Sequence, residues 1–317
     1  MIGGRAGSIA LIARLRFLAL KLVALSVLLA AILIGVAGVP VTAHGAVGAS
    51  LFLAILMLVA RYFRGLREES PLADSFTAIS LVWISGLACG AISLMGLRFG
   101  RSLLDPQLLA FDHLLGFDPI RYSMILGDAY GIISPLRYIY SLSLPMLFIG
   151  MLAQPMFGRR AALWRSVVAF AGSLLATSLI SILTPAKGFY LFAPASLVAQ
   201  MPHTAGTYFW KTFDLYHGGG PVVLSLGSID GVVSFPSFHT IVALMTAAIW
   251  RGHRFFPIAV AWCVLVIASA IPLGGHYLAD VVGGALVWLV WTIAESRWER
   301  SKTSEACSTE ALAPSMA

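Results

Sequence analysis

The chain has 317 residues, of which 59% are hydrophobic and only 11% charged, with a formal net charge of +7. A soluble domain carries about 25% charged residues, so this composition excludes a soluble globular protein. The basic residues sit in short clusters between apolar blocks, as membrane topology requires, which argues against a nucleic-acid-binding face.

Along the chain, Arg14, Arg16 and Lys21 precede a charge-free run over 22–40. That run is long for the apolar core of a signal peptide, so an uncleaved first span is expected. A bilayer helix needs roughly 20 apolar residues, and about eight such segments follow: 17–39, 45–63, 75–97, 132–152, 162–183, 236–250, 256–274 and 276–296. The fold class is therefore an all-α membrane protein. With the N-terminus in the cytoplasm, every predicted inner connection is basic. This puts both termini in the cytoplasm and the stretches 98–131 and 184–235 on the outer face. Long loops in a compact fold tend to be functional. The tail from 299 to 317 reads as disordered. No internal repeat is visible, which weakens a repeat-built transporter. Of the three cysteines, Cys89 and Cys263 lie in apolar blocks and Cys307 in the tail. None has ligand spacing, so all three read as packing or incidental residues.

Two motifs carry chemistry. In Ser234-Phe-Pro-Ser-Phe-His239, Ser237 suits a helix cap and His239 falls in the first turn, where free N–H groups and the dipole favour an anion. In Gly274-Gly-His276-Tyr-Leu-Ala-Asp280, the histidine and the carboxylate are one turn apart on a helical face. An aspartate bonded to one ring nitrogen fixes the tautomer and leaves the other nitrogen free to attack. Gly283 and Gly284 continue that face and allow close helix packing. The helical hairpin between the motifs returns the chain to the same side, so both histidines are expected at the outer end of one site. Two histidines and an aspartate are also legitimate zinc ligands. No third histidine or cysteine has the right spacing, although His203 and His217 in an outer loop could contribute.

These two motifs resemble the second and third signatures of the type 2 phosphatidic acid phosphatase superfamily, written P-S-G-H and S-R-x5-H-x3-D. The resemblance covers roughly 75–296. It implies a six-helix bundle built from the third to eighth spans, with two N-terminal helices (1–74) as an extension, a catalytic unit over 75–298, and no metal or cofactor. It further implies that His276 is the nucleophile, His239 the acid for the leaving group, Asp280 the group that orients His276, and Ser237 a phosphate ligand. The chain departs from the pattern at Phe238, which stands for glycine, and at Ala270, which follows Ser269 where arginine is usual. The first signature, K-x6-R-P, is half visible, with Lys187 present and Pro194 at the arginine position. Lys187, Arg137 and Lys211 are the candidates to replace the missing phosphate clamps, and Arg137 stands out because it falls within a predicted span.

Phe111-Asp112-His-Leu-Leu-Gly-Phe-Asp118-Pro, the Pro185–Tyr190 stretch and the Phe-Pro-Ser-Phe-His form are similar to the inositol phosphorylceramide synthase (aureobasidin-resistance) branch. That implies a lipid phosphate substrate in the bilayer, Tyr190 in substrate binding, and a polyol such as inositol as acceptor. Two alternatives stand beside it: a plain lipid or polyprenyl phosphate phosphatase using water, and a non-catalytic lipid transporter or binding protein. From residues alone, Asp112 and Asp118 read equally well as turn and cap residues of an interfacial loop.

Overall fold

The computed structural model describes residues 2–67, 69–128, 131–202, 205–227, 229 and 231–312. Two helices open the chain, α1 (Ile2–Ala37) and α2 (Ala43–Leu66). They are joined through a two-residue strand, β1 (Val41–Thr42), which pairs in parallel with β2 (Leu224–Ser225). Then come α3 (Pro71–Leu97), α4 (Asp105–Leu114), α5 (Pro119–Asp128), α6 (Ile133–Ser141), α7 (Ser143–Met156) and α8 (Arg160–Leu183). After a 3-10 turn at Phe189–Leu191 follow α9 (Ala195–Gln200), α10 (Trp210–His217), α11 (Phe238–Ile249), α12 (Phe256–Gly274) and α13 (Leu278–Leu312).

Among the described residues, α1, α2, α3, α8, α12 and α13 each contain a stretch long and apolar enough to cross a membrane. The bent pair α6–α7 is together apolar and long enough for a broken span or a re-entrant loop, and α11 is a shorter apolar helix of 12 residues, about 18 Å long. The chain is thus an all-α integral membrane protein. Large apolar side chains such as Leu58, Ile258, Val264 and Val290 face outward, as a lipid-facing belt requires.

Local sequence explains the element ends. Ser70 caps α3 by accepting from Ala73 N–H, with Pro71 at the first helical position. The expected single span over 132–152 is instead broken at Leu142, where the two halves meet at 46°. Pro145 is the cause. It has no N–H, and its ring clashes with the carbonyl four residues back, at Ser141.

The N-terminal helices are not an appendage. Leu15 and Ala19 of α1 are fully buried with Ala78 of α3 and Leu163, Trp164 and Val167 of α8. At the end of the bundle where α3 and α8 begin, Asp74 is buried between Arg16 of α1 and Arg160 of α8, with Arg160 Nε 2.7 Å away. The domain boundary drawn at 74/75 therefore falls inside the first turn of α3, across an ion-paired junction. Removing one partner from a buried carboxylate costs about 3–5 kcal/mol, so the junction ties extension to bundle. At the other terminus, the bounds of α13 run to Leu312. The Lys, Glu and Ala residues of that segment are good helix formers and let the helix propagate.

At the opposite end of the bundle, α11 packs on α7, α12 and α13, while α4 lies against α13 and α5 against α12. The long stretches 98–131 and 184–235 are thus partly helical covers over one end of the bundle, the end where α11 and α13 begin.

Candidate active site

The starts of α11 and α13 are stitched together. Ser237 caps α11, its side-chain oxygen accepting from Thr240 N–H, while its own N–H donates to the Asp280 carbonyl at 3.0 Å. Gly284 permits this approach, because a Cβ there would lie 2.3 Å from the Ser237 carbonyl oxygen. His239 in the first turn of α11 and His276 just before α13 are thereby brought face to face, with ring centroids 6.0 Å apart and planes tilted by 59°.

Asp280 is fully buried, and three donors converge on its Oδ2: His276 Nδ1 at 3.0 Å, Tyr277 N–H at 3.0 Å and Ser234 Oγ at 2.8 Å. The bond from Tyr277 N–H is one half of a capping box, in which an acid in the first turn reaches back to the residue before the helix. The tautomer that donates to a carboxylate from Nδ1 is the one that leaves the Nε2 lone pair free.

His239 has its own support. Tyr140, the penultimate residue of α6, stacks on the imidazole at 4.2 Å, and its hydroxyl lies 3.2 Å from His239 Nδ1. Gly274 makes room, since a Cβ there would stand 2.7 Å from both the Tyr140 hydroxyl and His276 Cδ2. Tyr140→Phe keeps the stack and removes the hydrogen bond. It is expected to lower kcat roughly tenfold, the worth of one hydrogen bond to a charged group, and to shift one limb of the pH–rate profile. An unchanged profile contradicts this role.

Two further carboxylates hold the loop between α12 and α13. Asp112 of α4 accepts from Leu278 N–H and Ala279 N–H, each at 2.8 Å, and so caps the helix that carries Asp280. Asp118 does the same for α5 through Ile120 and Arg121 N–H. Asp105 accepts from Lys187 N–H, Gly188 N–H and the Tyr277 hydroxyl. Burial raises the carboxyls of Asp105 and Asp112 above the ordinary range, against the pull of these backbone donors. A raised folded-state value means that stability is full below the unfolded carboxylate range and is lost as pH rises through it toward the raised value. The thermal midpoint is expected to fall across that window and Asp105→Asn to flatten the slope. An unaltered slope in that variant contradicts the assignment.

Other residues singled out in the sequence lie elsewhere. Arg137 is not a buried cation. It is exposed, with its guanidinium over the Tyr138 ring at 5.3 Å. The Lys187 ammonium is held by both Asp214 oxygens at 2.9 Å and lies over Trp210. Tyr190 is buried and donates to the Pro272 carbonyl at 2.5 Å, which supports the end of α12. Ser237 is a fully buried cap. Lys211 is exposed, and Ala270 is fully buried in α12. His217 Nε2 bonds the Arg101 carbonyl at 2.8 Å, away from the histidine pair, and His203 lies outside the described residues. Among the described residues no group of three His, Cys, Asp or Glu could hold a metal ion.

Tyr140, Ser234, Tyr277 and Asp105 are the site residues that sequence reasoning passed over. Ser234 opens the first quoted motif and Tyr277 lies inside the second, so both were within reach of a pattern argument, while Tyr140 and Asp105 come from distant segments.

A family model described as the PAP2 superfamily matches residues 106–294, the region from α4 to the span of α13. Neither the curated proteins nor the solved structures give a match.

Proposed function

This chain belongs to the PAP2 superfamily, which makes it a membrane lipid phosphatase or phosphotransferase, and from that premise we propose that it moves a phosphoryl or phospho-head group through a covalent phosphohistidine on His276. The observation that carries the reading is the facing pair of imidazoles, each with a different orienting group. His276 Nδ1 is bonded to Asp280, and His239 Nδ1 meets Tyr140.

In the first step His276 Nε2 attacks phosphorus. The N–P bond forms, the P–O bond to the leaving alcohol breaks, and His239 delivers a proton to the departing oxygen. Asp280 stabilises the positive charge that grows on the His276 ring. In the second step water or an alcohol attacks phosphorus, His239 takes its proton, and the N–P bond breaks. The Phe238 and His239 N–H groups, in the unsatisfied first turn of α11, supply donors for the phosphate oxygens where the family signatures have arginine. The proposed orientation puts this end of the bundle on the outer face and both termini in the cytoplasm, because the connections at the opposite end are the basic ones.

The acceptor is proposed to be a polyol such as inositol, in line with the motifs shared with the inositolphosphotransferase branch. A lipid-extract assay with and without inositol tests this. A new inositol-containing phospholipid supports transfer to the polyol. Free phosphate released equally in both arms assigns water as the acceptor.

A further inference from the structure

The polarity of the α4–α5 hairpin is reversed. On α4 the inward face carries Asp105, Leu108 and Asp112, and both carboxylates are fully buried. The spacing puts the two acids on one face, two turns apart. The opposite face, Gln107, Ala110, Phe111 and Leu114, is exposed, Leu114 to 85%. On α5 the exposed positions include Arg121, Met124 and Ile125. A helix in water hides its apolar residues and shows its charges. One that hides carboxylates and shows phenylalanine and leucine suits a surrounding less polar than its own packing partner.

Helix α12 fixes the level of the hairpin. It has 19 residues, about 28 Å, so it only just crosses a hydrocarbon core of about 30 Å. Tyr122 of α5 donates its hydroxyl to the Ala268 carbonyl at 3.2 Å. Ala268 lies six residues before the end of α12 at Gly274, about 9 Å along the axis, so this contact falls inside the apolar layer. The bond has a local cause. The carbonyl of Ala268 would ordinarily accept from the residue four further on, which is Pro272 and has no N–H. A bare carbonyl in hydrocarbon is costly, and α5 satisfies it. The outward face of α12 agrees. Val264 and Leu265 are exposed, but no residue of α12 from Val266 onward is. There α5 packs on α12, and its own Met124 and Ile125 take over the outward apolar surface.

We propose that the outward face of the α4–α5 hairpin is a docking surface for the acyl chains of the leaflet at the histidine end, and that this docking holds the catalytic loop in register. Gln107 and Arg121 on the same faces lie at head-group level, Arg121 by snorkelling. The link to the loop is direct. Asp112 accepts from the Leu278 and Ala279 N–H groups at 2.8 Å each, and Asp105 accepts from the Tyr277 hydroxyl at 3.1 Å. Tyr277 N–H in turn donates to Asp280, the partner of His276. A hairpin drawn out toward water takes these acceptors with it. Asp105 and Asp112 are thereby positioning residues. The effect on turnover rests on the phosphoryl-transfer reading, whereas the docking does not.

The test uses the full chain in phosphatidylcholine nanodiscs. Cys307→Ser leaves Cys89 and Cys263, both buried, so a nitroxide can be placed on Leu114→Cys alone. The label is expected to collide more with oxygen than with a water-soluble nickel chelate, as a label on Val264→Cys does. A preference for the chelate at position 114 overturns the docking. For the link to the loop, Leu114→Glu is expected to speed hydrogen exchange of the Leu278 and Ala279 amides roughly tenfold, the worth of one hydrogen bond to a charged group. It is also expected to lower kcat for a short water-soluble aryl phosphate roughly tenfold with KM unchanged, while Leu114→Met keeps wild-type values. Leu114→Gln provides the same comparison where the glutamate variant does not assemble. Exchange and kcat both unchanged in a folded glutamate or glutamine variant overturn the link. If the wild type does not turn over the ester, the phosphoryl-transfer reading fails, while collision and exchange still decide the docking and its link to the loop.

Discussion

His276→Ala is expected to lower turnover of any phosphate ester by at least about a thousandfold, because no other group stands ready to attack phosphorus. The imidazole is 3% exposed and bonded to Asp280, so its removal leaves a small cavity and one donor fewer on a carboxylate that still has Tyr277 N–H and Ser234 Oγ. The fold is expected to survive, with a cooperative thermal transition in the same detergent. A folded variant with wild-type-like rates contradicts the nucleophile assignment. A variant that loses both fold and activity would point to a packing role, and the comparison with His276→Gln, which keeps bulk but not the attacking nitrogen, separates the two.

Asp280→Asn is the second large effect. The substitution preserves shape but replaces a double acceptor with an amide that must present one donor. It can no longer fix the Nδ1–H tautomer of His276 or offset the charge that develops on the ring. Expected losses in kcat are about 10³–10⁴-fold, as for other histidine–aspartate pairs in which the tautomer is lost, with KM nearly constant. The buried donors left poorly matched should also cost about 1–3 kcal/mol of stability. Steady-state kinetics and a chemical or thermal melt on the same preparation measure both. A fall in kcat of less than tenfold would contradict the orienting role, whatever happens to stability.

Much of the frame was legible from the sequence. Charge-free runs over 22–40 and 75–97 mark helices that can cross a bilayer, and those helices are present. The capping serine at 237 and the four-residue spacing of His276 and Asp280 place side chains by local rules, and local rules survive folding. The support around them was not legible, for physical reasons. Tyr140 reaches His239 because Pro145 breaks the α6–α7 span, and the pattern of apolar residues does not reveal a bend. Arg137, on the α6 half of that pair, faces outward with its guanidinium over Tyr138. Asp105 and Asp112 act through backbone N–H groups more than 80 residues away along the chain, and a carboxylate in a loop has no periodicity to announce such a partner. The partner of the Lys187 ammonium, Asp214 on α10, is likewise set by how the outer loops fold over the bundle. The β1–β2 pairing, only two residues long on each side, is below what alternation can reveal.

The covalent intermediate is the claim on which the chemistry depends. The most direct measurement is to incubate the purified protein with a radiolabelled lipid phosphate, quench in alkali, digest, and locate the bound phosphate by peptide mapping. The account predicts label on the peptide that contains His276 and none in His276→Ala. Full turnover with no trapped phosphate under these conditions, or label on a different residue, would contradict it.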